Sequence, residues 1–333
     1  MSADPDTFRD RVFDRIFGSN DGETSVEQRH ATLRRTRIAR RLSRLVLLAV
    51  IAVLFVVALE RVNFQISELI RYWPEFTSAL TDYFPPASIF GLIPFVDVPR
   101  YTQFWNEAGL VGQAGVTLAM AFAGTVIGAP LALLGGILGS ERVVPFPFNF
   151  IFRGAMSIIR SIPSLVWALI YVPLGGVGPL TATLAIGTDT IGTLGRLLTD
   201  ELEEVEDGPI EGIESTGANK LQTIVFGMIS QVIRPFIAWT MYILEINVRA
   251  AVGLGIIGGG GLGLTLRLEQ NTFNFTNMMA TILFIVILVV SVEMISQRTR
   301  SYLRHSDDQE TMSLYELIIG FPERMSDALL RSR

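Results

Sequence analysis

Five charged side chains stand where a chain of this composition can least tolerate them. Arg160, Asp189, Glu245, Arg249 and Glu293 fall inside apolar stretches, where an ionised group is costly and faces a cavity, a partner or a counter-ion. Glu245 and Arg249 are four apart with the acid first, the favourable order for an ion pair on one helix face. That spacing fits two readings equally: a self-neutralising structural pair, or a lining for the path of an anion, to which Asn247 adds polarity. Arg160-Ser161-Ile162-Pro163-Ser164 sets a cation and two hydroxyls around a proline that removes a backbone donor and kinks a helix. Irregular backbone at membrane depth is tolerated mainly where protein or water covers it. Arg160, Ser161, Ser164 and Trp167 are therefore candidates for a pathway wall, although Ser and Trp in spans more often serve packing or anchoring. Asp189, between Thr188 and Thr190, would repel an anion and reads as gating or structural. The run Gly253, Gly255, Gly258 to Gly261 and Gly263 lacks the βαβ setting of a dinucleotide fingerprint. Gly259 and Gly260, at its centre, read as gate or close-packing positions.

Other chemistry is excluded by counting. The chain has no cysteine, which removes disulfides, thiolate metal sites, iron–sulfur clusters and cysteine nucleophiles. Its two histidines, His30 and His305, lie in polar terminal segments, so no His-based catalytic or metal site is expected within the spans. Of 27 basic residues only Lys220 is a lysine, between Asn219 and Leu221. A Walker A loop needs its Lys after Gly and before Ser or Thr. Any ATP that drives this chain is handled by another polypeptide, and a membrane enzyme is a poor fit.

The elements that position these residues are apolar and long. The hydrophobic fraction is 50%, and charged residues make up 18%, against about 25% in an average soluble domain. A span needs about 20 helical residues. Six segments qualify: 42–59, 110–138, 148–172, 178–198, 235–252 and 278–296. The expectation is an all-α polytopic membrane protein. Arg34, Arg35, Arg37, Arg40, Arg41 and Arg44 crowd the first span and put the N-terminus in the cytoplasm. Alternation then leaves 61–109 outside, the 200–234 loop inside and the C-terminus inside. The first span reads as a retained anchor, because the polar stretch before it is too long for a signal peptide. The expected organisation is a tail over 1–41, a first span over 42–60, an external segment over 61–109, a core over 110–304 and a second tail over 305–333. Phe8, Val12, Phe13 and Ile16, and again Leu314, Leu317, Ile318 and Phe321, recur at helical spacing and suggest amphipathic helices at the membrane surface.

The loop DELEEVEDGPIEGIESTGANKLQTIVFGMISQVIRP, residues 200–235, opens acidic. It is expected to turn at Gly208–Pro209 and continue as a helix through Ile210, Ile213, Leu221 and Ile224. Gly217 interrupts that pattern, and a glycine there marks a bend or a close contact. Glu211, five residues, then Gly217 resembles the E-A-A-x-x-x-G motif of binding-protein-dependent ABC importer permeases. The narrower resemblance is to phosphonate (phosphate/phosphonate) transport permeases. RSIPSLVWALI at 160–170, DGPIEGIESTGANKLQ at 207–222, YILEINVRAAVGLGIIGGGGLG at 242–263 and ELIRYWPEFTSALTDYFPP at 68–86 carry it. It covers about residues 60–304. The motif's two alanines are Gly212 and Ile213 here. The family's later Leu-Pro is Ile229–Ser230, with a proline only at Pro235, which is where the fifth span is expected to start.

The resemblance implies a type I (MetI-like) importer permease with about six transmembrane helices, working as a homodimer. It implies two ABC ATPase subunits and one extracytoplasmic phosphonate- or phosphate-binding protein as partners, with membrane lipid around it and no nucleic acid. The loop would form two short coupling helices that dock on the ATPase, with Glu211, Gly212, Ile213, Gly217, Ala218 and Lys220 at or near the contact. This chain would bind no cofactor, ATP-Mg being held by the ATPase. A permease for phosphate, phosphite or another small solute is the alternative within that class. An ion-gradient-driven transporter is the alternative outside it, against which stands the lack of an evident inverted repeat with paired broken helices.

Overall fold

Apolar runs of helical length dominate the chain, and helices are what form. The computed structural model describes residues 21–85 and 97–304, with side chains described over 41–85 and 97–301. The segments expected to be amphipathic at the two termini lie outside the described residues. Among the described residues every regular element is helical.

The chain divides into two units, one ending at Phe76 and one beginning at Thr77. The first contains α1 (Asp21–Arg61) and α2 (Ile66–Arg71). The stretch Arg41–Arg61 of α1 is long and apolar enough to cross a membrane. α3 (Trp73–Tyr83) begins in this unit and ends in the second.

In the second unit α4 (Val98–Glu107) follows, opened by Asp97, whose carboxylate accepts the Arg100 N–H, with proline in the first turn. The segment expected outside thus contains short helices. Tyr101 is buried and its hydroxyl donates to the Tyr83 carbonyl at 2.7 Å; burial pushes its pKa up, which keeps it a donor. Trp105 donates to the Ala280 carbonyl at 2.9 Å.

The bundle itself is α5 (Leu110–Gly139), α6 (Phe148–Ser161), α7 (Ser164–Gly175), α8 (Pro179–Glu203), α11 (Ser230–Leu254) and α13 (Phe275–Arg304). Between α8 and α11 lie α9 (Asp207–Glu214), α10 (Lys220–Gln222) and a π-helical segment, π1 (Thr223–Ile229). After α11 come π2 (Gly255–Gly259) and α12 (Gly261–Asn271).

α5 and α8 make the most extensive contact in the fold. Small residues allow it. A Cβ on Gly128 would meet the Gly187 carbonyl at 2.6 Å, and one on Gly136 the Gly195 carbonyl at 2.9 Å. Close backbone approach of this kind replaces the hydrophobic drive that helices lack inside lipid. Met120, Ala121, Ile186, Val248, Ala251 and Leu254 fill the centre where α5, α8 and α11 meet.

Among the described residues four helical stretches are long and apolar enough to cross a membrane: Arg41–Arg61, Leu110–Gly139, Lys220–Gly259 and Phe275–Ser301. A fifth span exists only if α6 and α7 count as one, for they are bent by 93°. Pro163 is the reason, with Ile162 driven to extended backbone just before it. The fourth expected span corresponds to α8, which is 25 residues long but carries Asp189, Arg196, Asp200, Glu201 and Glu203. Apolarity therefore supports five crossings at most, because α8 presents its polar groups to protein. The fifth expected span does not start at Pro235. Helix continues from Lys220 through Pro235 to Leu254, and a kink follows at Gly258, whose φ is +111°. Interior prolines persist in spans where neighbouring groups support the freed carbonyl.

Candidate functional site

The loop between α8 and α11 folds into a compact projection. α9 starts at Asp207, so Gly208–Pro209 forms its first turn rather than the expected reverse turn. A proline is tolerated there because its missing N–H would be unpaired anyway. α9 ends at Glu214, and Gly217 takes φ +81°, the left-handed bend its position in the helical pattern suggested. Asn219 then restarts the chain: its side-chain oxygen Oδ1 accepts the Gln222 N–H at 3.0 Å while its backbone N–H donates to the Gln222 side chain at 2.9 Å. This reciprocal cap opens the long helix.

α9 lies back against π1. Gly227 is buried against Ile210 and Ile213, with a hypothetical Cβ 3.4 Å from the Ile210 Cα. The result exposes Glu211, Gly212, Glu214 and Gly217, whereas Ile213 and Ala218 are half-buried. Beside it opens a groove of about 550 Å³ lined by Arg142, Asp207, Ile210, Glu214, Ala218, Lys220, Thr223, Ile224 and Met228. Of the six expected contact residues Ala218 and Lys220 line the groove, Glu211, Gly212 and Gly217 are exposed outside it, and Ile213 packs against Gly227.

Ion pairs fix this projection to the bundle. Arg142, from the turn between α5 and α6, meets Asp207 at 2.6 Å. Arg153 on α6 makes a two-pronged contact with Glu203 at 2.9 and 3.0 Å, and lies 3.5 Å from Asp200 and 3.6 Å from Glu141. Gln231 donates to the Glu206 carbonyl and accepts its N–H, at 3.2 and 3.1 Å. Trp239 donates to Glu201 at 3.0 Å.

The intramembrane polar residues divide into two places. At the α6–α7 break, the Ser161 hydroxyl donates to the Ile158 carbonyl at 2.7 Å, and the Trp167 indole to that of Ile159 at 3.3 Å. Trp167 stacks on Tyr171, whose hydroxyl pairs with Thr188 at 2.7 Å. Arg160 is exposed and Ser164 half-buried, and Arg160 is close enough to Asp189 for their charges to interact. On α11, Glu245 is buried and paired with Arg249, one of the two arrangements the spacing allowed. Arg300 of α13 also reaches it, at 3.3 Å. Asn247 points away from this group. Its amide donates to Thr125 on α5 at 2.8 Å and Thr190 on α8 at 2.9 Å, fully buried. Glu293 accepts from Gln297, one turn on.

The glycine run forms a packed crossing. A side chain on Gly263 would collide with the Val252 carbonyl, and one on Gly259 would meet the Leu254 carbonyl at 2.8 Å. Gly260, at φ +97°, lies against Pro179.

Comparison with known proteins bears on what such a bundle does. The sequence profile of the binding-protein-dependent transport system inner membrane component family matches residues 124–304, more than half of the chain. The chain belongs to that family. A phosphate-import permease protein PhnE of Mycolicibacterium smegmatis is 32% identical over 195 residues, 58% of this chain and 37% of that protein. The match therefore spans well under half of that relative's length. The phosphite transport system permease protein PtxC of Stutzerimonas stutzeri is 29% identical over 189 residues, covering 56% of this chain and 69% of its own. Among solved structures, an inward-facing MetNI methionine ABC transporter superposes with a TM-score of 0.54 at 22% identity, over 59% of this chain and 96% of that one. The fold is that of an ABC importer membrane subunit, and the chain is a multi-pass membrane protein.

The family's matched region contains every residue of the two polar clusters. Sequence reading did not find Arg142, Arg153, Asp207 or Glu203 as a group, nor Arg300 as a partner of Glu245. The Asn219–Gln222 cap was legible in principle, as Asn followed three residues later by Gln.

Proposed function

We propose that this chain is the membrane-spanning subunit of an ATP-driven importer for phosphonate, phosphate or related oxyanions. It would work as a homodimer with two ATPase subunits and an extracytoplasmic binding protein, with its termini in the cytoplasm. The observation that carries this reading is the projection formed by α9, the Gly217 bend and α10. A subunit with no nucleotide site of its own receives work only through contacts that differ between two states. A short exposed helix bound to the bundle at both ends suits that task. Glu211, Gly212, Gly217, Ala218 and Lys220 form its outward contact, with Ile213 holding it from behind. ATP-Mg belongs to the ATPase, and this chain carries out no chemistry on its solute. The substrate class follows the relatives' names together with the intramembrane arginines. Arg160, Ser161, Ser164 and Trp167 supply a wall at the broken α6–α7 helix, and Gly259 and Gly260 a packed hinge at its edge.

Affinity purification of this chain from its native membrane tests the assembly. A Walker A ATPase and a solute-binding protein are expected to co-purify; recovery of the chain alone, active in uptake, would reject the reading. The double variant Glu211→Ala, Gly217→Trp is expected to insert normally and abolish uptake.

A further inference from the structure

Glu245 holds one more positive charge than it can neutralise. Its carboxylate is shared, Oε1 with Arg249 and Oε2 with Arg300, so the buried group carries a net charge of one cation. The two arginines are not equivalent. Arg300 is 18% exposed and its guanidinium lies 5.4 Å from the centre of the Tyr242 ring, a cation–π contact that holds it in place. Arg249 is 48% exposed. Removing the sole partner of a buried carboxylate is severely destabilising, but here Arg300 stays on the second oxygen when Arg249 swings away. Release of Arg249 is thereby made cheap by a residue on another helix. An exposed guanidinium in an apolar span is also too costly to face hydrocarbon, which leaves water, a second copy of the chain or an anion as its surroundings. Its planar fork matches two oxygens of a tetrahedral oxyanion.

From this geometry we infer that Arg249 is a transient ligand for the transported oxyanion, exchanged between the Glu245 carboxylate and the solute, with Arg300 and Tyr242 holding Glu245 compensated meanwhile. The inference rests on the importer reading above and adds the residue at which the solute is met. Asn247, engaged with Thr125 and Thr190, positions α11 and does not touch the solute.

The absence of cysteine gives a direct test. In the whole assembly, in sealed proteoliposomes, Arg249→Cys offers a single thiol in this chain to a membrane-impermeant quaternary-ammonium methanethiosulfonate. The thiol is expected to react, and inorganic phosphate, phosphite or methylphosphonate to slow the reaction. Attachment of the cationic group is expected to raise uptake, and a sulfonate group not to. An unreactive thiol, or one whose cationic adduct supports no more uptake than the sulfonate adduct, overturns the inference. So does protection that appears only when phosphatidylglycerol replaces phosphatidylcholine, which would assign a lipid headgroup. Should the cysteine variant fail to insert, Arg249→Lys keeps the charge without the fork and is expected to insert normally with uptake lowered about tenfold; unchanged uptake counts against the role. ATPase association and ATP-dependent uptake of the unsubstituted chain are read in the same preparation. Their failure rejects the importer, whereas their success with an unreactive thiol, or with no gain from the cationic adduct, rejects only Arg249 as ligand.

Discussion

Asn247 joins three helices with one amide. Its hydrogen-bond partners Thr125 and Thr190 already donate to their own helix carbonyls, so they act as acceptors and lose those contacts together when the amide goes. Hydrogen bonds within a membrane average about 0.6 kcal/mol, and Asn247→Leu is expected to cost about 1 kcal/mol, read as a lower melting temperature in nanodiscs. Gly263→Ala should cost more, about 1–3 kcal/mol of overpacking, because its methyl group would have to displace the Val252 backbone; recovery of folded protein after detergent extraction checks it. At this scale the sequence was readable only over short spacings. Glu245 and Arg249, one turn apart, left a structural pair and a path lining equally open, and the structure shows them in contact. Thr125 lies 122 residues from Asn247, and Arg300 55 from Glu245. No local pattern connects residues brought together by packing of separate helices.

The projection that carries Glu211 packs through Ile210 on the buried cluster of Leu198, Leu202, Val205, Met228 and Val232 and is tied at its start by one pair of surface charges. Arg142 and Asp207 have side chains 32% and 73% exposed, and such a pair contributes at most about 1 kcal/mol. Reversing either charge is therefore expected to leave thermal stability nearly unchanged while changing how α9 sits. Arg142→Asp and Asp207→Arg should each reduce uptake per ATP hydrolysed, and the double exchange should restore it; a double variant as poor as the singles would show that the pair does not orient α9. The elements themselves were partly legible. Gly217 marked a bend and Pro163 a kink, both for stereochemical reasons that need no tertiary information. Gly208–Pro209 misled, because the same dipeptide fits a reverse turn and a helix start, and only the packing of Ile210 and Ile213 on Gly227 selects the helix. α8 was visible by its length, yet its five charges are acceptable because Glu201 and Glu203 find Trp239 and Arg153, partners that hydropathy does not count.

For the molecule as a whole, apolar length made the polytopic class evident and the family match agrees with it, but the number of crossings depends on a broken helix and a polar one. The lack of native thiols makes topology measurable. Cysteines introduced at Asn106 and Thr272 are expected to label from outside intact cells, and one at Glu211 only after permeabilisation; the reverse pattern would invert the orientation. Between Glu211 and the bundle lies π1, whose i→i+5 turns hold one residue more than an α-helix of the same rise. That surplus is slack, one residue wound in between the projection and everything from Ser230 onward. Deleting Val225, an exposed residue in π1, would let the segment relax to an α-helix of the same rise and leave the two nearly in phase, whereas a residue lost from a helix with no surplus turns its ends by about 100°. Such a chain should insert, keep its side-chain chemistry and still present its projection to the same side.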